Sequence, residues 1–176
     1  MFSNWVYILV GDNNTGKTSF QRYLVEALCG VKFTRLPRNV IKPITHLRAP
    51  KKLETLFTAN RSYQEKSNEY KTPGNYVDKF VGDADIVVLS SHSHGAAISD
   101  IRVMLERLTA RSYNVAGVFW SNDFGPDARR ISSDLPWQER LWVENPPLAD
   151  AAKIQNQIRT QAFEFAEILV ERARFQ

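Results

Sequence analysis

The sequence predicts an α/β fold, a mostly parallel central sheet with helices on both faces. Three observations predict it. Trp5–Val10 and Asp85–Leu89 are short apolar runs rich in β-branched residues, as strands buried on both faces require. Lys17–Leu28 and Asp150–Arg174 carry apolar residues at helical spacing. The two kinds of segment alternate along the chain, and no internal boundary divides it, so residues 1–176 read as one domain.

Taken in order, Trp5-Val-Tyr-Ile-Leu-Val10 is the first strand and ends in the turn-like residues Gly11–Thr18. The helix from Lys17 to Leu28 presents Phe20, Leu24, Val25 and Leu28, with Gly30 placed to stop it. Val31–Lys79 is rich in proline, asparagine and charge and offers two weaker strands, Val31–Leu36 and Leu53–Ala59. Order returns with the Asp85–Leu89 strand. A helix over Ile98–Thr109 follows, built on Ile98, Ile101, Leu105 and Leu108. Asn114–Trp120 is a third clear strand and Arg140–Val143 a short one. The closing helix aligns Ile154, Ile158, Ala162, Phe165 and Leu169.

Composition narrows the function classes. The 176 residues are 43% hydrophobic and 24% charged, which excludes disordered, collagenous and disulfide-stapled proteins. Cys29 is the single cysteine, so no intramolecular disulfide can form, and a reducing cytoplasm is the expected setting. The apolar run at Trp5–Val10 is too short for a signal-peptide core or a membrane span.

Gly11-Asp-Asn-Asn-Thr-Gly-Lys-Thr18 matches G-x-x-x-x-G-K-[ST] between a buried strand and an amphipathic helix, the context that motif needs. Glycines at both ends let the backbone curl so that successive N–H groups point inward at phosphate oxygens. The helix adds its positive N-terminal end. On residues 5–28 the chain resembles the P-loop NTPase superfamily. The resemblance implies the three-layer architecture of that group and a nucleoside triphosphate, ATP or GTP, bound with Mg²⁺. It implies contacts from Gly11, Asn13, Asn14, Thr15, Gly16, Lys17, Thr18 and Ser19. Lys17 would be the catalytic contact to the β- and γ-phosphates, and the Thr18 hydroxyl the metal ligand.

The chain departs from that family in its carboxylates. A Mg²⁺-organising Asp is expected at the end of a second buried strand, but Asp85–Leu89 runs into Ser90-Ser-His-Ser-His94, and Asp83 and Asp85 lie at its start. The Leu53–Ala59 run leads into Asn60-Arg-Ser-Tyr63. Asp12, inside the loop, is the nearest acid. Either Ser, Thr or Asn holds Mg²⁺ through water, or hydrolysis is weak. Tyr70-Lys-Thr-Pro-Gly74, followed by Ala84–Leu89, resembles ParA/MinD-like and GTPase-type members, with Lys71 where those carry Asp. A solvated turn at Pro73-Gly74 is the other reading of that segment. Asp12 occupies the loop position where a ParA-type lysine would stand.

Ser121-Asn122-Asp123 follows the third strand, where such proteins contact the base; either Asn122 and Asp123 do so, or the segment is a plain turn. It lacks the N-K-x-D spacing of guanine readers, so ATP is expected over GTP. Glu144-Asn-Pro-Pro147, after the last short strand, occupies another position that flanks the base in such proteins, with a proline-enforced stop before the final helix as the favoured reading. His92 and His94 fall near the expected γ-phosphate, and Arg129-Arg130 where lid or finger arginines sit.

The net charge of +4 is unevenly spread. Residues 32–79 hold eleven Lys and Arg against four acids, so this basic irregular segment carries +7 and the remainder −3. A polyanion, nucleic acid or a phosphorylated substrate, is one expected partner, with Phe33, Phe57, Tyr63, Tyr70 and Tyr76 available to stack on bases. A solvated insertion is the other reading, and a protein partner is a further expectation. Three functions follow: an NTP hydrolase whose nucleotide state controls a partner, a small-molecule or nucleotide kinase, and a nucleotide-binding assembly protein with little turnover.

Overall fold

A computed structural model describes residues 4–37, 41–82 and 84–175. The first half runs β1 (Trp5–Val10), α1 (Lys17–Cys29), β2 (Ile41–Pro43), β3 (Thr55–Thr58), a 3₁₀ turn (Gln64–Lys66), α2 (Ser67–Tyr70) and α3 (Pro73–Phe80). The second half runs β4 (Ile86–Ser91), α4 (Ala97–Ala110), β5 (Asn114–Trp120), α5 (Pro126–Asp134), β6 (Glu139–Val143) and α6 (Ala151–Phe175).

The strands form one six-stranded sheet in the order β2-β3-β4-β1-β5-β6, parallel throughout except at the β2 edge. β1 is flanked by β4 and β5 and is buried from Val6 to Val10, which accounts for its unbroken apolar run. Alternation divides its side chains between two cores. Val6, Ile8 and Val10 pack with residues of α3, α4 and α5, whereas Tyr7 and Leu9 pack with residues of α1 and α6. The chain leaves β1 through α1 on one face to reach β3. It then runs over the opposite face, through α3 to β4, through α4 across β1 to β5, and through α5 to β6. The carboxyl ends of β1 and β4 are therefore a topological switch point, where loops diverge and leave a crevice.

Several expectations needed correction. No strand forms at Val31–Leu36; the outer strand is Ile41–Pro43, antiparallel to β3. Pro43 is tolerated because this strand is an edge. Pro73-Gly74 is not a solvated turn: Pro73 opens α3, and the Thr72 hydroxyl caps it by accepting the Asn75 N–H at 3.1 Å. Arg129 and Arg130 lie within the short helix α5. Asp85 is structural, since its Oδ2 accepts the N–H groups of Glu54 and Thr55 at 2.8 and 2.9 Å and pins β3 to β4. Asp83 and Arg38 lie outside the described residues. No described helix is long and apolar enough to cross a membrane.

Candidate functional site

The loop Gly11–Gly16 is anchored from three sides, and each anchor comes from a strand end. At the β4 side, the Gly11 N–H donates to the Ser91 carbonyl at 3.2 Å. At the β5 side, the Asp12 N–H donates to Asp123 Oδ2 at 3.0 Å, and the same oxygen accepts the Ser93 hydroxyl at 2.6 Å. Beyond β6, the buried Asn145 donates from Nδ2 to the Thr15 carbonyl at 2.8 Å and accepts from Gln157 of α6 at 2.7 Å. Asn145 is thus a brace for the loop, a role that neither reading of Glu144–Pro147, base-flanking segment or stop before the last helix, contains. Asn145→Ala leaves the Thr15 carbonyl with only the long bond from Asn122 Nδ2 at 3.5 Å and removes the acceptor of Gln157. It should lower the unfolding free energy by roughly 1–3 kcal/mol, read from urea denaturation.

Inside these anchors the loop bends through two left-handed residues, Asn14 at φ 66° and Gly16 at φ 107°. The Thr15 N–H turns back to the Asp12 carbonyl at 3.4 Å. The N–H groups of Asn13, Asn14, Gly16, Lys17 and Thr18 have no acceptor among the described residues. Such a run of unpaired donors at the start of a thirteen-residue helix forms a cradle of positive partial charge.

Lys17 lies across this cradle. Its Nζ donates to the carbonyls of Gly11 and Asp12 at 2.5 and 2.7 Å, with Thr15 Oγ1 at 3.5 Å, and no carboxylate among the described residues lies within ion-pairing distance. Burial lowers its pKa from 10.5 to about 8, against the opposing charges of Glu65, Asp12 and Asp123. A half-buried ammonium in contact with neutral oxygens alone has its desolvation only partly offset by those more distant carboxylates, and an anion in contact would offset the rest.

The loop opens on a cleft of about 490 Å³. Asn13, Asn14 and Gly16–Ser19 form its floor, Pro146, Pro147, Ile154, Gln155 and Ile158 one wall, and Asn60 with Glu65 the other. The size suits a small organic ligand. The Thr18 side chain is exposed at the rim. Asn122 lines the cleft, and its Oδ1 is buried without a partner. Asp123 is absent from the lining because its carboxylate is occupied in bracing the loop and, through Oδ1, in accepting the Gly125 N–H at 3.2 Å.

Glu65 is the functional candidate that sequence reasoning missed. It lines the cleft with Lys17 and Thr18, bonds Arg61 at 2.7 Å and lies 3.5 Å from His92 Nε2. Burial raises its pKa, but the Arg61 hydrogen bond and charge outweigh that and hold the carboxyl below its ordinary value. The fold also brings Asp12, His92 and His94 together, with ligand atoms within 4.8 Å of one another. Their types suit a transition metal. However, burial first and the Lys17 charge second lower the His92 pKa, and that same charge opposes a cation there. Arg129 and Arg130 are exposed on α5, Arg130 lies 3.7 Å from Asp127, and neither lines the cleft.

The basic segment is dispersed. Lys32 pairs with Glu26 at 3.6 Å, Arg48 with Glu167 at 3.0 Å, and Lys79 with Glu69 at 3.1 Å, on different parts of the surface. Phe57, Tyr63, Tyr70 and Tyr76 are buried in the core, so they are no platform for bases. Phe33 is half-buried beneath the Lys42 ammonium at 4.6 Å.

A search of protein-family models finds none that matches this chain. No curated protein sequence matches it either.

Proposed function

We propose that this chain is a P-loop nucleoside triphosphatase that binds ATP with Mg²⁺ and cleaves it at the γ-phosphate. The observation that carries this reading is the half-buried Lys17 ammonium, with no described carboxylate in contact, beside a run of N–H groups unpaired among the described residues, at the sheet's switch point. A triphosphate supplies what that arrangement lacks. The unpaired N–H groups from Asn13 to Thr18 would take phosphate oxygens, and Lys17 would turn from the loop carbonyls to the β- and γ-phosphates. Thr18 and Glu65, which face the same cleft, are the residues that would hold Mg²⁺. When bound there, the metal would neutralise charge developing on the phosphates. The base would lie toward Pro146, Pro147 and α6, beside the unpartnered Asn122 Oδ1. Asn60 and Glu65 reach the cleft from the 32–79 segment, so they are the route by which nucleotide state would change that segment and its hold on a partner.

Titration of the full chain with ATP and with GTP, each with Mg²⁺ and again with excess EDTA, tests the reading. Saturable ATP binding that weakens on chelation, with ADP and phosphate appearing on incubation, is the expected result. No saturable binding of either nucleotide would overturn it. The second reading, transfer of the γ-phosphoryl group to a small molecule, is favoured by a cavity beside the cleft.

A further inference from the structure

A second cavity, of about 240 Å³, opens beside the first and shares Thr18, Ser19, Asn60 and Glu65 with it. It adds Arg22, Thr34, Arg35, Leu36 and Arg61, and continues into a further hollow of about 240 Å³ reaching Pro37. Three guanidiniums therefore line a narrow trough that begins at the start of α1.

Their charges are unevenly compensated. Arg61 is paired with Glu65. Among the described residues Arg22 has only neutral acceptors, the Thr34 carbonyl at 3.4 Å and the Tyr23 and Gln155 side-chain oxygens at 3.1 Å. Arg35 makes no hydrogen bond or ion pair with any described residue. Two guanidiniums without carboxylates, facing one hollow, suit a phosphomonoester, whose double charge and three terminal oxygens can serve both forks at once, where a single carboxylate has one charge and two oxygens. The far end, at Leu36 and Pro37, offers apolar surface for the body of a small molecule.

We propose that this trough is a phosphoryl-acceptor subsite for a small phosphomonoester. The proposal rests on the triphosphate occupying the neighbouring cleft, and it names the acceptor class for transfer from that site. In the reaction, an oxygen of the acceptor's phosphate attacks the γ-phosphorus and a new P–O bond forms. The bond from the γ-phosphorus to the β–γ bridging oxygen breaks, and its electron pair leaves with the nucleoside diphosphate. No proton need be removed, because a phosphomonoester oxygen is already ionised near neutral pH. This agrees with the residues present: Glu65, the one carboxylate in the trough's lining, is tied to Arg61, and transfer to an ionised phosphate oxygen asks no base of it. The buried aromatic rings of the segment argue against a polynucleotide, which would need exposed faces to stack on.

The test is a titration of the full chain with AMP, CMP, GMP, UMP, dTMP and glucose 6-phosphate, each alone and with ADP and Mg²⁺. It is followed by incubation with γ-labelled ATP and chromatography of the products. At least one monoester should bind, and label should appear on it. Arg35→Ala should weaken that binding roughly ten- to a hundredfold, with ATP binding in the same sample reporting that the variant is folded. Three results would overturn the proposal. One is that no monoester binds. Another is label appearing only in inorganic phosphate. The third is tighter binding of a single-stranded oligonucleotide than of any monoester, lost in Arg35→Ala. Arg35-dependent monoester binding in a protein that fails to bind ATP would refute the nucleotide reading and the acceptor role together, leaving a plain anion site.

Discussion

Lys17→Ala is expected to abolish saturable ATP binding while making the free protein no less stable. The two effects have one origin. The half-buried ammonium touches carbonyl oxygens and no described carboxylate, and desolvation lowers its pKa to about 8 against 10.5 in the unfolded chain. Below about pH 8 both states are charged, so the folded protein bears the full net penalty of holding the charge there. That penalty, desolvation less the attraction of Glu65, Asp12 and Asp123, is on the order of 3 kcal/mol for the displacement in pKa. It fades between about pH 8 and 10.5, where the folded amine is neutral and the unfolded one still binds its proton. Wild-type stability should therefore gain on that of Lys17→Ala as pH rises through this window, an effect that paired urea titrations would read. Lys17→Met, which keeps most of the aliphatic stem, separates the charge from the lost packing. Nucleotide binding runs the other way: phosphate favours the ammonium, so ATP affinity should fall above about pH 8, by up to roughly tenfold per pH unit. An affinity independent of pH from 7 to 10 would remove Lys17 from the phosphate contact.

Gly16→Ala is expected to have the second largest effect. Gly16 sits at φ 107°, and a Cβ there would lie 2.9 Å from Ile158 Cδ1 and 3.3 Å from Asn145 Nδ2. An L-residue is strained in that conformation by roughly 1–3 kcal/mol before any clash. The loop has no free direction in which to move, because Asn145 and Asp123 fasten it on two sides. The variant should lose ATP binding and unfold at lower urea concentration. Gly82→Ala is the control: nothing lies within 4 Å of a Cβ there, and its stability should remain within about 0.5 kcal/mol of wild type. Equal effects at both positions would mean that the loop's shape does not matter to the site.

The parts of the fold that were legible in the sequence are those whose signals are local. β1 is a continuous apolar run because it has neighbours on both edges and helices on both faces, and α1 stops where Gly30 adopts φ 68°. The strand–loop–helix motif carried the cradle with it. Residues 31–79 were harder to read because their structure depends on distant partners. β2 exists only through pairing with β3, and the tyrosines at 63, 70 and 76 are buried because they pack against one another over β3 and β4. Thr72-Pro73 was a readable helix start, but the following glycine made the segment look like a turn. Glu65 carried no signal at all: it enters the cleft from a 3₁₀ turn whose place is set by tertiary packing. Asn145 likewise could be recognised as a brace only once β6 and α6 had brought it to the Thr15 carbonyl. Asp123 followed the right strand, but its hydrogen bonds commit it to the loop's backbone rather than to the cleft.

The central claim is that the Gly11–Thr18 loop holds a triphosphate with its backbone, with Lys17 as the charge that completes the site. Amide NMR of the full chain during titration with ATP and Mg²⁺ tests it most directly. The account predicts the largest shifts at the N–H groups of Asn13, Asn14, Gly16, Lys17 and Thr18, and selective broadening around Thr18 and Glu65 when Mn²⁺ replaces Mg²⁺. Saturation with ATP that leaves those amides unmoved, or shifts them no more than the rest of the chain, would contradict it.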